Sequence, residues 1–201
     1  MIRQDRFKPE YYPPNTPEDL FVYMESARLF AFHLLKHDGF YLHASAVEVD
    51  GKAYLFSANS GVGKSTHARL WQKVHGDKAQ VINDDKPALR CLDGVWYAYG
   101  LPWCGKDGIN QNRRVPLAGI CFLTRGKENK IRPLTPPEVI PRMLPQTIYQ
   151  LFTHEDLTTM LGHVDKLLSR IPVFELACLP DEAAARLSYE TMCRKAEEMG
   201  L

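Results

Sequence analysis

The chain has 201 residues, of which 45% are hydrophobic and 24% charged, and its formal net charge is +1. This composition is typical of a soluble globular protein, and the near-zero net charge disfavours a dedicated nucleic-acid surface. No apolar stretch is long enough to cross a bilayer, and the five scattered cysteines suit a reducing compartment. We therefore expect one cytoplasmic domain over residues 1–201, with no nucleic-acid or membrane partner; a homo-oligomer is compatible with the sequence.

The first 38 residues are predicted to form an arm followed by a helix. Residues 1–15 are polar and carry several prolines and tyrosines, which is typical of an extended segment. Thr16 and Pro17, followed by two acidic residues, indicate a helix start, and Gly39 is the expected stop. The helix face expected to enter the core consists of Leu20, Met24, Ala27, Phe30, Ala31 and Leu34.

Two Asp-Gly pairs predict two β-hairpins. Asp50-Gly51 separates residues 40–49 from 52–56, and Asp93-Gly94 separates residues 89–92 from 95–99. Further strands are predicted at residues 80–83, 115–123, 129–134 and 173–178. Helices are predicted at residues 67–74 and 155–169, after Asp181, and after Thr135, where Pro141 should kink or end the helix. This order of elements predicts an α/β fold with a mixed β-sheet and flanking helices.

Residues 58–66 predict a phosphate-binding loop between a buried strand and a helix. Two glycines let successive backbone N–H groups approach an anion, Lys64 supplies a mobile charge for the outer phosphates, and the Ser65 hydroxyl suits Mg²⁺. Ala58 replaces the first glycine of the usual pattern, and a glycine turn that binds nothing is the alternative. The candidate nucleotide-binding residues are Asn59, Ser60, Gly61, Val62, Gly63, Lys64, Ser65 and Thr66.

Asp84 and Asp85 follow the predicted strand 80–83, where NTP-binding folds place a metal-binding carboxylate. Because neighbouring side chains on a strand diverge, one aspartate can face Mg²⁺ while the other faces an acceptor hydroxyl as general base. A solvated turn capped by aspartates is the alternative. His43 lies on the predicted strand before the phosphate loop, where a satisfied core histidine and a catalytic one are both compatible with its neighbours.

Residues 100–114 form a predicted loop that carries Lys106, Arg113 and Arg114. These cations could neutralise charge on a transferred group, either as a phosphate clamp or as part of an acceptor site. A flexible, solvated loop explains the same composition equally well.

Together these motifs resemble the kinase core of the HPr kinase/phosphorylase family, which is related to phosphoenolpyruvate carboxykinases. The resemblance rests on residues 41–47, 55–65 and 82–85, while residues 100–106 and 114–117 are similar to the short HPr kinase-like proteins. It implies the P-loop fold of the HPr kinase C-terminal domain. Thr66 stands where the HPr-specific enzymes carry glutamate, so the resemblance does not extend to HPr as the acceptor.

The resemblance also implies roles for individual residues. Lys64 would hold the β- and γ-phosphates, Ser65 and one aspartate would bind Mg²⁺, and the other aspartate would deprotonate the acceptor with His43 beside it. By analogy we assign Asp84 as the base and Asp85 as the metal ligand, with the exchanged assignment left open.

The implied activity is an Mg·ATP-dependent phosphotransferase, a kinase that acts on a hydroxyl of a peptide, a protein or a small molecule. The sequence does not distinguish ATP from GTP and does not identify the acceptor. A nucleotide-binding regulatory module without catalysis is the first alternative. A lyase of the carboxykinase type is less favoured because the chain is much shorter than those enzymes.

Overall fold

A computed structural model describes residues 13–147 and 153–201 and confirms the mixed α/β fold. A curled β-sheet carries helices on both faces. In chain order the elements are α1 (Glu18–Leu35), β1 (Gly39–Tyr41), β2 (Ala44–Val49), β3 (Lys52–Ser57), α2 (Lys64–His75), a 3₁₀ turn (Gly76–Lys78), β4 (Ala79–Asp85), β5 (Ala88–Leu92), β6 (Val95–Tyr99), β7 (Arg114–Arg125), β8 (Lys130–Pro133), α3 (Pro136–Met143), a second 3₁₀ turn (Leu144–Gln146), α4 (His154–Leu168), β9 (Val173–Cys178) and α5 (Glu182–Glu198).

The strand order is β1-β5-β6-β7-β3-β2-β4, with β9 beside β7 and β8 beside β9. The long strand β7 pairs antiparallel with β6 near its start and then parallel with β9 along the same edge, while β3 pairs with its other edge. Because two strands take successive parts of one edge of β7, the sheet divides there and curls. In the part of the chain that the structure describes, no helix is both long and apolar enough to cross a membrane.

Both predicted hairpins are confirmed. The pairs β2–β3 and β5–β6 are antiparallel, and their turns lie at Asp50-Gly51 and Asp93-Gly94. The φ angles are 50° and 76° in the first turn and 50° and 80° in the second. Positive φ at both central residues is what a two-residue hairpin turn of type I′ requires, and the Asp-Gly sequence favours it.

The core lies on both faces of the sheet. On β3, Ala53 and Leu55 face the layer that contains α3 and α4, whereas Tyr54 and Phe56 face α2 and α5. This alternation is the period of two expected for a strand buried on both faces. The central strands that carry the candidate site are therefore held rigidly between two helical layers.

The N-terminal helix differs from the prediction. Pro17 rather than Thr16 occupies the position before α1, and Thr16 donates its hydroxyl to Pro13 O at 2.7 Å within a turn. Leu20 and Met24 are 46% and 43% exposed, Ala27 and Phe30 are partly buried, and only Ala31 and Leu34 of the predicted core face are buried. The reason is that α1 packs on the sheet through its C-terminal half. Residues 1–12 of the predicted arm lie outside the described residues.

The predicted strand 40–49 is divided at Leu42 and His43. Because β1 pairs with β5 while β2 pairs with β3 and β4, the chain must change partners between them. At the break, Leu42 N–H donates to Pro87 O at 3.3 Å and His43 N–H donates to Gln146 O at 2.8 Å. The prediction that His43 lies within a strand is therefore wrong, because its backbone is needed for the partner change.

Candidate functional site

The predicted phosphate loop and the two aspartates leave the same edge of the sheet. Strand β2 is antiparallel to both β3 and β4, so β3 and β4 run in the same direction. Ala44 at the start of β2 lies opposite Ser57 on one side and Asp85 on the other. Two strand spacings separate Ser57 from Asp85, which is about 10 Å. The structure thus brings together two motifs that are distant in the sequence.

The predicted phosphate loop joins β3 to α2 through two glycines with positive φ. Gly61 has a φ of 76° and Gly63 a φ of 129°, conformations that side-chain-bearing residues rarely adopt. Helix α2 begins at Lys64, so the N–H groups of its first turn have no acceptor within the helix. The loop therefore presents unpaired donors at the positive end of a helix dipole.

Lys64 is folded back onto this loop. Its Nζ donates to Ala58 O at 3.1 Å. Burial lowers the pKa of the Lys64 ammonium, and the nearby Asp85 and Asp84 carboxylates partly offset that shift. The lysine therefore lies over the loop within the field of both aspartates.

The two aspartates diverge on β4, as predicted. Asp84 is 5% exposed, and the Ser45 hydroxyl donates to its Oδ1 at 2.5 Å. Asp85 is only partly buried, forms an ion pair with Lys86, and lies 3.2 Å from His43 Nε2 through Oδ1. One carboxylate is thus held in the interior while the other faces Lys86 and His43.

The neighbours of Asp85 control its ionisation. Burial raises its pKa, but hydrogen bonds from His43 and Lys86 outweigh burial and lower the pKa to about 2. Asp85 is therefore a permanent anion near neutral pH. The sequence placed His43 beside the base, assigned as Asp84; the structure places it beside Asp85 instead, because His43 precedes Ala44 and Ala44 pairs with Asp85.

The loop of residues 100–114 covers the outer edge of β4. Asn83, which is fully buried, donates its amide to Leu101 O at 2.9 Å, and Gly105 N–H donates to Asp84 O at 2.6 Å. Asp107 of this loop forms an ion pair with Arg69 of α2. The exposed Lys106 therefore lies in a turn that is anchored both to the aspartate strand and to the helix after the phosphate loop.

The structure does not bring Arg113 or Arg114 to the phosphate loop. Arg113 forms an ion pair with Glu48 at 2.8 Å, and the Arg114 guanidinium lies 5.1 Å from the centre of the Tyr97 ring. Phe122 of β7 pairs with Ser57, and Arg114 lies eight residues before Phe122 on the same strand. That separation is about 26 Å along the strand, so both arginines lie at the opposite end of the sheet.

Sequence reasoning missed Gln146 and Arg125. Gln146 is 6% exposed and contacts both His43 and Asn59, which precede it by 103 and 87 residues. Arg125, at the end of β7, donates to Gly61 O at 2.8 Å. The predicted strand 115–123 stops two residues before Arg125, whereas β7 extends to it and pairs with the phosphate-loop strand β3. No local pattern distinguishes Gln146.

Two cavities of about 400 Å³ each flank the predicted phosphate loop. The first lies beside the N-terminus of α2, and the second is bounded by Asn59, Arg142 and Gln146. The apolar lining of the first consists of Val62, Leu70, Leu123, Leu179 and Pro180. Within the described residues, no three His, Cys, Asp or Glu side chains cluster in an arrangement suited to a metal ion.

Comparisons with known proteins give a family that differs from the predicted one. No curated protein matches the chain. Among solved structures, the chain is similar to the Hpr(Ser) kinase/phosphatase from Coxiella burnetii, with 13% identity and a TM-score of 0.45 over 78% of this chain and 90% of that one. A protein-family model described as SynChlorMet cassette protein ScmC matches residues 14–179. Because that match spans most of the sequence, the chain belongs to the ScmC family of SynChlorMet cassette proteins.

Proposed function

We propose that this protein is an Mg·ATP-dependent kinase that transfers the γ-phosphoryl group to a hydroxyl of a peptide, a protein or a small molecule. The observation that carries the proposal is the pairing of Ala44 with both Ser57 and Asp85. This pairing sets the end of the strand that leads into the glycine-lysine loop about 10 Å from the end of the strand that carries the two aspartates. A phosphoryl group and an acceptor oxygen would lie between the loop and the carboxylates at this edge.

The loop residues supply the phosphate contacts. The N–H groups around Gly61 and Gly63 and the first turn of α2 would bind phosphate oxygens. On nucleotide binding, Lys64 Nζ would exchange its contact with Ala58 O for the outer phosphates, which are the stronger acceptors. Asn59, Ser60, Val62 and Thr66 complete the proposed nucleotide-binding set.

The oxygen donors at this edge fit Mg²⁺. The ion prefers hard oxygen ligands and retains several waters, so one hydroxyl and one carboxylate are sufficient protein ligands. Ser65 and Asp85 are the proposed pair, and the low pKa of Asp85 keeps its carboxylate ionised. Bound Mg²⁺ would neutralise charge on the transferred group.

Asp84 is the proposed general base. It would accept the proton of the acceptor hydroxyl as the acceptor oxygen bonds to the γ-phosphorus and the bond from the γ-phosphorus to the leaving ADP oxygen breaks. His43 would hold Asp85 in place through the 3.2 Å contact. Lys106 stays a candidate contact for the acceptor or the transferred phosphoryl group, because its turn is anchored beside Asp84.

The cavity beside α2 is the proposed site for the nucleoside. Its walls include Val62, Leu70 and Leu179, which would pack against a planar base, and its volume of about 400 Å³ lies in the range of small-molecule sites. An apolar wall of this kind would accept adenine or guanine, so both ATP and GTP stay candidate donors. We also propose that the protein is cytoplasmic, because five free thiols suit a reducing compartment.

The kinase proposal is tested by Asp84→Asn. Purified protein is incubated with Mg·ATP and a pool of metabolites and peptides, and mass spectrometry identifies species that gain one phosphate. We expect the rate of product formation to fall by roughly 10² to 10⁴ fold in the variant, while Mg·ADP binding stays near the wild-type value. Asp77→Asn, at an exposed turn, is the matched control. Unchanged turnover in Asp84→Asn would contradict the base assignment, and tight nucleotide binding without any product would favour a regulatory module.

A further inference from the structure

Gln146 lies between the proposed phosphate loop and the histidine that contacts Asp85. Its Oε1 is 3.1 Å from His43 Nδ1, and its Nε2 donates to Asn59 Oδ1 at 2.8 Å. The side chain is 6% exposed and ends the short 3₁₀ turn Leu144–Gln146. A continuous line of polar contacts therefore runs from Asn59 through Gln146 and His43 to Asp85.

The two contacts need both functional groups of the amide. An amide oxygen only accepts, so the contact with Oε1 needs a proton on His43 Nδ1. The Asp85 carboxylate also only accepts, so the contact with Nε2 needs a second ring proton, and His43 makes both contacts as a donor at both nitrogens. The amide nitrogen only donates, so it binds the oxygen of the Asn59 side chain and leaves the Asn59 N–H groups for the loop side. A side chain without this pairing of acceptor and donor cannot orient both neighbours.

The backbone near His43 is held independently of the Gln146 side chain. His43 N–H donates to Gln146 O at 2.8 Å, and the Ser57 hydroxyl donates to His43 O at 2.8 Å. Neither bond uses the Gln146 side chain, so we expect both to remain when that side chain is changed. The amide side chain is therefore not needed to hold the break between β1 and β2. Its effect on the site can be tested without disturbing the fold at this point.

We propose that Gln146 is a positioning residue that couples the phosphate loop to the base and metal side of the site. Through Asn59 it sets the orientation of a loop donor, and through His43 it sets the orientation of the imidazole against Asp85. This inference rests on the proposed function. It predicts that Gln146 influences nucleotide affinity and phosphoryl transfer through different neighbours, although it touches neither the nucleotide nor the acceptor.

Two substitutions separate the two contacts. Gln146→Leu removes both, so we expect the dissociation constant of Mg·ADP to rise roughly 5-fold or more and the transfer rate to fall roughly 10-fold or more. Gln146→Glu keeps an acceptor for His43 but has no donor for Asn59. We expect its transfer rate at saturating nucleotide to stay within about 3-fold of wild type, with the same loss of Mg·ADP affinity as Gln146→Leu. Gln72→Leu, on α2, is the control for the substitution itself.

Double-mutant cycles distinguish positioning from a general loss of structure. If Asn59 acts through Gln146, then Asn59→Ala combined with Gln146→Leu weakens Mg·ADP binding no more than either change alone. Likewise, His43→Ala combined with Gln146→Leu slows transfer no more than the slower single variant. Losses that multiply in both cycles would overturn the proposal, as would equal transfer rates for Gln146→Glu and Gln146→Leu.

The outcomes also separate this proposal from the proposed function. A wild-type protein that binds no Mg·ADP, measured by calorimetry, would overturn both. A protein that binds and transfers, with multiplicative cycles, would overturn only the role of Gln146. Should Gln146→Leu fail to fold by circular dichroism, Gln146→Met replaces it, because methionine fills a similar volume without branching and forms neither strong contact.

Discussion

Substituting Asp85 with asparagine should change how the stability of the folded protein depends on pH. Contacts with His43 and Lys86 lower the Asp85 pKa from its ordinary value of 3.8 to about 2. A carboxylate whose pKa is lower in the folded state stabilises that state above its unfolded pKa, and this contribution is lost as the pH falls toward the folded pKa. The full contribution is on the order of 2 kcal/mol, since one pH unit corresponds to about 1.4 kcal/mol.

The difference in stability between the two proteins isolates this carboxylate. Other acidic groups titrate in both proteins, so their contribution cancels in the difference between wild type and Asp85→Asn. We expect the stability advantage of wild type to shrink by about 1 kcal/mol between pH 6 and pH 3, with most of the change below pH 4. Urea unfolding followed by tryptophan fluorescence measures it, because Trp71 and Trp96 are buried and report loss of the core.

The measurement is made without added metal, so that only the contacts within the chain contribute. Asp77→Asn is the matched control, because Asp77 lies in the exposed 3₁₀ turn after α2. The opposite result would be a difference between wild type and Asp85→Asn that stays constant within about 0.3 kcal/mol across this range. That result would mean that His43 and Lys86 do not hold the carboxylate as the structure indicates.

Three further substitutions test other contacts. Lys64→Ala should raise the Mg·ATP dissociation constant by roughly 10- to 100-fold in calorimetry, because a charge-assisted contact is lost. A change under about 3-fold would contradict the proposed binding of phosphate by this loop. Gly105→Ala places a methyl group against the carbonyl oxygen of Asp84, so we expect transfer to slow by roughly 10-fold or more with little loss of helix content by circular dichroism. Ser188→Ala removes the acceptor of the buried Trp71 indole N–H, at 2.9 Å, and the hydrogen-bond partner of the His67 imidazole. We expect it to destabilise the fold by about 2 to 4 kcal/mol in urea unfolding, whereas Ser169→Ala should have little effect.

Local turn chemistry explains why the hairpins were predictable. The Asp-Gly pairs favour positive φ at two successive residues, a preference that acts within four residues and needs no tertiary contact. The start of α3 is similarly local: the helix predicted after Thr135 begins there, with a capping box between Thr135 and Glu138. These turns and this helix start were therefore predictable from the residues of a single turn of chain.

Features that depend on strand partners were not predictable in the same way. The apolar run 40–49 contains no signal for the change of partner at His43, because β5, β3 and β4 all lie later in the chain. Helix α1 has the expected spacing of apolar residues, yet the sheet does not extend under its first turns. Gln146 reaches His43 across 103 residues, and a lone glutamine carries no pattern from which that contact could be inferred.

The central position of β2 has a consequence for how this site can vary. Both edges of β2 are paired, so the separation between the loop strand and the aspartate strand cannot change gradually. A slip of one residue would turn every side chain to the opposite face, and a slip of two would move a strand by about 7 Å. Backbone changes at this site therefore come in whole-residue steps, such as the register shift between Ala46 and Val47 of β2, and finer adjustment falls to side chains and to the loop that covers β4.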